Sequence, residues 1–155
     1  MTLAADLAAT AQVLVHRPVA DVFDAFANPE TMSRFWFTRR DDGLRAGETV
    51  TWYLGARPDA PGFEVQVTSL ERPSLIVMEW ENAEGSTTVV WTFEAKSPDT
   101  TLLRVEETGY SGDPQSVVAA ALDSTGGFNQ VIIAAKAWLE HRAPINVVAD
   151  HAGRS

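Results

Sequence analysis

The feature that most constrains this fold is a long helical pattern near the C-terminus, preceded by strand patterns that carry regularly placed tryptophans. Within the segment STGGFNQVIIAAKAWLEHRAP, apolar residues at helical spacing form one stripe: Phe128, Ile132, Ala135 and Leu139. Upstream, Trp52, Trp80 and Trp91 each lie where large apolar residues alternate with polar ones, the strand period. Because only one long helix is available to cover so aromatic a sheet face, the pattern indicates a curved sheet that grips a helix. An apolar hollow can remain between the two.

The predicted order of elements is one strand, two short helices, five strands and the long helix. The first strand covers about Leu7 to His16, and the short helices begin at Arg17-Pro18 and after Asn28, which can cap the second one. The later strands are predicted in the segments GETVTWYL, GFEVQVTSL, SLIVMEWE, STTVVWTFEA and TTLLRVEETG. Short connectors rich in Pro, Gly, Asn and Asp favour antiparallel pairing of neighbours. The long helix begins at Asp113-Pro114 and ends near Arg142.

Length and composition indicate one α+β domain spanning residues 1–155, with a core of about 7–143 and a loose tail at 144–155. The chain has no cysteine, which excludes disulfides, thiolate nucleophiles and cysteine-ligated zinc. The N-terminus has no basic region and no sustained apolar core, so it does not resemble a signal peptide. No apolar run is long enough to suggest a membrane span. We therefore expect a cytoplasmic protein.

A formal net charge of −9 argues against nucleic acid and anionic membranes as partners. Three histidines, His16, His141 and His151, have no metal-ligand spacing, so no metal or other cofactor is predicted. The serines lack the context of a nucleophile elbow. The pair Gly126-Gly127 lies inside a helical pattern, where it would permit close packing on the sheet or a kink.

Aromatic residues on the inward strand face are candidates for the lining of a ligand cavity, with Met78 as an adaptable filler. The full set of apolar candidates is Trp36, Trp52, Phe63, Met78, Trp80, Trp91, Phe93, Phe128 and Ile132. The alternative is that these side chains simply form the core. The number of tryptophans favours a lined hollow, because indole N–H groups need partners that a dry core seldom supplies.

Glu107 and Tyr110 are the polar candidates. Glu107 shares its strand parity with Leu103 and Val105 and is expected to point inward, whereas Glu106 faces the other side. An inward carboxyl group among aromatic rings could hydrogen-bond or protonate a ligand; alternatively it pairs with an arginine or lies exposed. Tyr110 could donate a hydrogen bond into the hollow, or merely close the end of the strand.

Three arginines, Arg39, Arg40 and Arg45, precede the second strand and could hold a ligand carboxylate at the cavity entrance. The alternative is a solvated loop in which Asp41 and Asp42 balance their charge.

Several segments resemble a known family when taken in order. They are RPVADVFDAFANPETMSRFW, LRAGETVTW, TTVVWTFEA, TLLRVEETGY and GGFNQVIIAAKAWLEH. Together they resemble the START-like helix-grip superfamily, also called SRPBCC, and within it the group related to the activator of the heat-shock-protein-90 ATPase. The resemblance runs from about Val13 to His141. Phe35, Ala46, Thr100 and Phe128 depart from the residues typical of that group.

The resemblance implies a helix-grip fold, in which a six-stranded antiparallel sheet wraps around the C-terminal helix after two short helices. It also implies a central cavity that accepts apolar molecules in many relatives. The leading hypothesis is therefore a non-catalytic domain that binds a small apolar or amphipathic molecule, as a monomer or homodimer. Two alternatives are a co-chaperone-type stress-response partner, and a polyketide cyclase or dehydratase with Glu107 or Tyr110 as the acid–base group.

Overall fold

The computed structural model describes residues 7–37, 43–53, 58–82 and 85–153. The first strand, β1 (Ala9–Val15), leads into two short helices, α1 (Val19–Ala27) and α2 (Pro29–Met32). Asn28 separates these helices: its extended backbone ends α1, and its side chain accepts a hydrogen bond from the Glu30 N–H at 2.9 Å. Both short helices, and the cap at Asn28, are as predicted.

Six strands form one antiparallel sheet within the described residues. After β1 they are β2 (Thr49–Tyr53), β3 (Gly62–Glu71), β4 (Leu75–Asn82), β5 (Gly85–Ser97) and β6 (Thr100–Thr108). The order across the sheet is β1-β6-β5-β4-β3-β2, so each of β2 to β6 pairs with its neighbour in sequence and β1 closes onto β6. The predicted pairing is confirmed, and the strand bounds agree to within a few residues.

The inward face of the sheet follows the alternation read from the sequence. In β5, Val89, Trp91 and Phe93 are buried, as is Thr87 earlier on the same face. The register of β4, which its continuous apolar start leaves uncertain, places Ile76 and Met78 in the core. Period-two patterning thus puts almost all of the aromatic bulk on one side.

The long helix, α3 (Pro114–His141), covers the inward face. Asp113 caps its N-terminus by accepting hydrogen bonds from the Ser116 N–H (3.0 Å) and hydroxyl (2.7 Å), and these bonds lower the pKa of Asp113. At the other end, Arg142 adopts the left-handed conformation (φ 53°) and terminates the helix. The predicted stripe Phe128, Ile132, Ala135 and Leu139 is buried. The helix-grip prediction is therefore confirmed.

Helix α3 is joined to the edge strand β1 by charged groups. Lys136 Nζ donates to the Leu14 carbonyl and to Glu140 Oε2, both at 2.6 Å, and the His16 N–H donates to the same Glu140 oxygen at 2.8 Å. Burial raises the pKa of Glu140, but the bonds from Lys136 and His16 outweigh it and leave the pKa below its ordinary value.

The two helical glycines do not mediate close packing. A Cβ atom built on Gly126 or Gly127 would meet no other atom within 4 Å. Neither glycine has a positive φ angle. The expectation that this pair lets the helix approach the sheet is therefore wrong.

The C-terminal tail differs from the loose segment predicted for 144–155. Residues Val147–His151 form a short helix, α4, and Asn146 caps it by accepting a hydrogen bond from the Ala149 N–H at 3.1 Å. Asn146 Nδ2 also donates to the Trp36 carbonyl oxygen at 2.6 Å, and Val147 and Val148 pack against the core.

Helix α3 is long and apolar enough, by length and composition, to cross a bilayer, contrary to the expectation from apolar runs. Core helices of soluble proteins meet the same criterion. The buried stripe against the sheet identifies α3 as such a core helix.

Candidate ligand site

Aromatic rings from the sheet, the short helices and α3 form one continuous cluster inside the fold. Trp36 lies 5.3 Å from Trp52 and 5.7 Å from Trp91, measured between ring centroids. From the helix side, Phe128 stacks on Trp80 at 6.3 Å and meets Trp91 edge-on at 5.8 Å. The predicted convergence of indole rings from separate strands is therefore observed. Burial of these rings contributes to the core whether or not a ligand is also bound.

Glu107 is buried at one end of this cluster, with only 2% of its surface exposed. Its Oε2 atom accepts hydrogen bonds from Trp80 Nε1 at 2.9 Å and Thr87 Oγ1 at 2.5 Å. Its Oε1 atom accepts one from the Tyr110 hydroxyl at 2.6 Å. These three donors are neutral, so the arginine pairing considered from the sequence is not the arrangement observed. A carboxylate has about four acceptor positions, which leaves one unused by these bonds.

Tyr110 links this carboxylate to the long helix. Burial and the hydrogen bond to Glu107 raise the pKa of Tyr110 above its ordinary value of 10.0, whereas a hydrogen bond with Ser124 opposes the shift. The phenol therefore stays protonated near neutral pH and donates its proton toward Glu107. Tyr110 and Trp80 are both half-buried, whereas Glu107 and Thr87 are buried.

The indole N–H groups of Trp91 and Trp138 are buried without a hydrogen-bond partner among the described residues, and that of Trp91 lies in the aromatic cluster. Trp91 is fully buried, and its Nε1–H finds no acceptor among the described residues. Burying a donor without a partner costs roughly 1–3 kcal/mol. An acceptor that the protein itself does not supply would remove this cost.

A cleft of about 450 Å³ opens beside Phe63 and Trp80, where β3 begins and β4 ends. Its lining residues are Gly62, Phe63, Glu64, Gln66, Glu79, Trp80, Glu81 and Ser86. Its polar lining residues alternate with the buried positions of β3, β4 and β5, so the cleft lies mainly on the outer face of the sheet, opposite Glu107. A second cleft, beside α1 and Arg72, is lined by none of the predicted site residues.

Most predicted site residues lie in or beside the aromatic cluster. Trp36, Trp52, Met78, Trp91, Phe93, Phe128 and Ile132 are buried, and Phe63, Trp80 and Tyr110 are partly buried. Whether any of them contacts a ligand stays a prediction. Arg39 and Arg40 lie outside the described residues. Arg45 is exposed, and its Nη1 atom lies 3.9 Å from Glu48 Oε2.

Two polar members of the site, Thr87 and Ser124, were not predicted. Thr87 has the inward parity of Trp91 and Phe93, and Ser124 precedes Phe128 by one helical turn on the buried stripe. A polar residue on a face that is otherwise apolar is the signal that identifies both.

The described residues contain no group of three or more His, Asp or Glu side chains that could hold a metal ion. Near the C-terminus of α3, the backbone N–H of His16 and the ring of His141 each approach Glu140.

Six antiparallel strands wrapped around a C-terminal helix, with two short helices after the first strand, define a START-like helix-grip protein. Residues 16–135 match the family described as activator of Hsp90 ATPase homolog 1-like protein, and the chain belongs to that family. No curated protein matches the chain in sequence.

Solved structures support the same fold. Protein SSP2350 from Staphylococcus saprophyticus is 24% identical, with a TM-score of 0.73 over 90% of this chain and 96% of that one. DynU16, from the dynemicin biosynthetic locus, is 19% identical with a TM-score of 0.74, over 88% of this chain and 48% of its own. The Aha1 dimer from Colwellia psychrerythraea is 12% identical with a TM-score of 0.70, over 87% of this chain and 97% of that one.

Proposed function

We propose that this protein binds a small apolar or amphipathic molecule between the sheet and α3. The observation that carries the proposal is hydrogen-bonding capacity left unused inside an aromatic interior. Within the described part of the chain, the buried Trp91 Nε1–H has no acceptor and the carboxylate of Glu107 has one acceptor position open. Buried polar groups in a purely structural core are normally satisfied by the protein. A ligand with an apolar body and one polar group would bury its body against the rings and use this capacity.

The aromatic cluster supports the proposal, because rings from several strands and from α3 meet beneath the helix and offer apolar surface to a ligand. Apolar surroundings with a few convergent polar groups, here Trp91 and Glu107, are typical of small-molecule sites. Moving a ligand of naphthalene size from water to such an environment gives roughly 25 cal/mol for each Å² of apolar surface buried.

The test measures binding of an uncharged apolar probe, 2-methylnaphthalene, and of 2-naphthylmethanol, which adds a hydroxyl group. We expect saturable one-to-one binding in calorimetry, together with quenching of tryptophan fluorescence. Trp91→Phe should weaken binding of the alcohol more than that of the hydrocarbon, since it removes the unpartnered N–H. No saturable binding of either probe would overturn the proposal.

A second candidate function is a co-chaperone role, and the family description favours it. Its test adds the purified protein to an Hsp90-class chaperone and measures ATP turnover. Stimulation that saturates at a fixed stoichiometry supports this role, and unchanged turnover without co-purification excludes it.

A further inference from the structure

We infer that the outward face of α3 binds a second copy of this chain, so that two α3 helices pack antiparallel across a two-fold axis. This face is defined by exposed residues that follow one another at steps of three or four: Val118, Leu122, Gly126, Asn129 and Ile133. The opposite stripe of α3 packs on the sheet. Because the outward face points away from the aromatic cluster, dimerisation does not require the proposed ligand.

The outward face carries apolar side chains where a surface helix normally presents polar and charged ones. Leu122 is 68% exposed, Ile133 52% and Val118 45%. Only two other large apolar side chains of the described residues are exposed, Leu14 and Ile145. The rest of the protein buries only 33% of the most apolar stretch of α3. Clustered apolar side chains of this kind mark an interaction surface.

The near absence of charge on this face favours a second copy of the chain as its partner. Asp123 is the only charged residue between Pro114 and Ala135. The chain carries a formal net charge of −9, so two copies repel each other wherever their acidic surfaces meet. A neutral apolar helix face is where they can approach at the lowest electrostatic cost. A partner of opposite charge would find almost nothing here to pair with.

A lipid surface fits this face less well than a second copy does. Helices that lie in a membrane interface carry Lys and Arg beside their apolar face. Between Pro114 and Ala135, α3 has neither residue type. The net charge of −9 also opposes docking to anionic lipid.

The distribution of charge along α3 favours an antiparallel pair of helices. Lys136 and Glu140 lie near the C-terminal end, and the N-terminal half carries only Asp123. Parallel helices would bring each of these charges toward its own copy. Antiparallel helices instead bring the charged end of each α3 beside the uncharged start of the other, and their dipoles then oppose each other favourably.

The two most exposed apolar residues of the face indicate the register of the pair. A two-fold axis that crosses α3 between Gly127 and Phe128 places Leu122 opposite Ile133 of the partner subunit. The symmetry repeats this contact, so both large side chains of each copy meet an apolar partner. Leu122 and Ile133 of one helix lie about 16 Å apart along its axis, so each contact is separate from the other.

The first experiment measures self-association by analytical ultracentrifugation over about 1–500 µM protein. We expect a reversible monomer–dimer equilibrium. Leu122→Glu should weaken it by at least about tenfold, because each copy then brings a carboxylate into the apolar contact. The matched control is Leu14→Glu: Leu14 is 44% exposed but lies on the outer face of β1, so the equilibrium should not change. Urea denaturation checks that both variants fold.

The second experiment tests the register, and the chain suits it because it has no cysteine of its own. A mixture of Leu122→Cys and Ile133→Cys, oxidised with diamide, should form a mixed disulfide, which needs Cα atoms within about 7 Å. Neither variant should cross-link efficiently with itself, because like residues lie about 16 Å apart along the antiparallel pair. Leu14→Cys mixed with Leu122→Cys measures cross-linking by random collision.

Three results would overturn the inference. One is a protein that stays monomeric at every concentration, and its flotation with phosphatidylcholine vesicles would then assign the face to lipid. Another is a dimer that Leu122→Glu leaves unchanged, which would place the interface elsewhere. The third is self-cross-linking of Leu122→Cys in preference to the mixed disulfide, which would exclude the antiparallel arrangement.

Discussion

Glu107 is the residue at which burial and charge conflict most strongly. Its carboxylate is almost fully removed from water, and moving such a group inside a protein costs several kcal/mol unless hydrogen bonds replace its hydration. Three short bonds from Trp80, Thr87 and Tyr110 provide that replacement. They also connect β4, β5 and the segment before α3, so the carboxylate joins separate elements.

Replacing Glu107 with glutamine should therefore destabilise the protein. Glutamine has nearly the same size, but its amide NH₂ cannot accept, so at least one of the three donors loses its partner. We expect the free energy of unfolding to fall by about 1–3 kcal/mol. Urea denaturation checks this, with Glu106→Gln expected to lie within about 0.5 kcal/mol of the wild type. Equal stability of the two variants would contradict the assigned bonds.

The Tyr110 hydroxyl should contribute to stability in a pH-dependent way. Its pKa in the folded protein is raised above the ordinary value of 10.0, so its contribution is complete below that value and is lost as the pH rises further. The difference in unfolding free energy between wild type and Tyr110→Phe should therefore stay constant from pH 7 to about 9 and shrink above 10. Denaturation curves recorded across this range measure it. A difference that grows at high pH would contradict the direction of the shift.

For single residues, the sequence could predict which side chains of a strand face the interior, because side chains alternate between the two faces of a sheet. The alternation of Leu103 and Val105 placed Glu107 inside and Glu106 outside, and both placements are confirmed. The donors could not be assigned in the same way. They come from two other strands and from the connection to α3, so their distances depend on cross-strand register and on the path of that connection.

At the scale of secondary-structure elements, α3 contains an internal weak point. Two consecutive glycines lie within the helix, each about 1 kcal/mol less favourable there than alanine. The preceding Thr125 hydroxyl donates to the Ala121 carbonyl at 2.7 Å, a bond that slightly destabilises helices. Close packing does not explain the glycines, and nothing else in the structure does.

Substitution of either glycine by alanine should therefore stabilise the protein. A methyl group fits at Gly126 and Gly127, because nothing outside the local helix backbone lies within 4 Å of the added Cβ, so each change should contribute about 0.5–1 kcal/mol. Thermal unfolding measures this, and hydrogen exchange should slow in the middle turns of α3. Gly109→Ala is the control. Gly109 has a φ of 89°, a conformation that alanine adopts poorly, so this substitution should destabilise the protein. If both helical substitutions destabilised the protein, the space around Gly126 and Gly127 could not be open to a methyl group.

Regular elements could be predicted because each repeats a pattern over many residues. In helix α3 and the strands, the repeating pattern identifies the element even when its predicted end is wrong by one or two residues. Helix α4 has only five residues and no repeat to detect. It is held by the bond from Asn146 to the Trp36 carbonyl and by the packing of two valines, which are tertiary contacts between distant parts of the chain.

At the scale of the whole molecule, the interior is closed by more than the sheet and α3. Asn146 binds the backbone of Trp36, which itself touches Trp52 and Trp91 in the aromatic cluster. The C-terminal segment therefore supports the wall that α2 and the following residues form around the candidate ligand site. The order of elements predicted the fold, but the packing of the aromatic interior depends on such contacts and could not be predicted.

Removal of residues 144–155 tests whether this segment belongs to the core. If it were a loose tail, as the sequence indicates, the shortened chain would be as stable as the full one. Because the truncation removes Val147 and Val148, uncovers the core surface that they pack against and leaves the Trp36 carbonyl without its donor, we expect a loss of about 1–3 kcal/mol in unfolding free energy. The control removes only 153–155, beyond α4, and should be neutral. Asn146→Ala in the full chain should reproduce part of the loss, because it removes the hydrogen bond while retaining the valines. Full stability of both the long truncation and Asn146→Ala would restore the loose-tail interpretation.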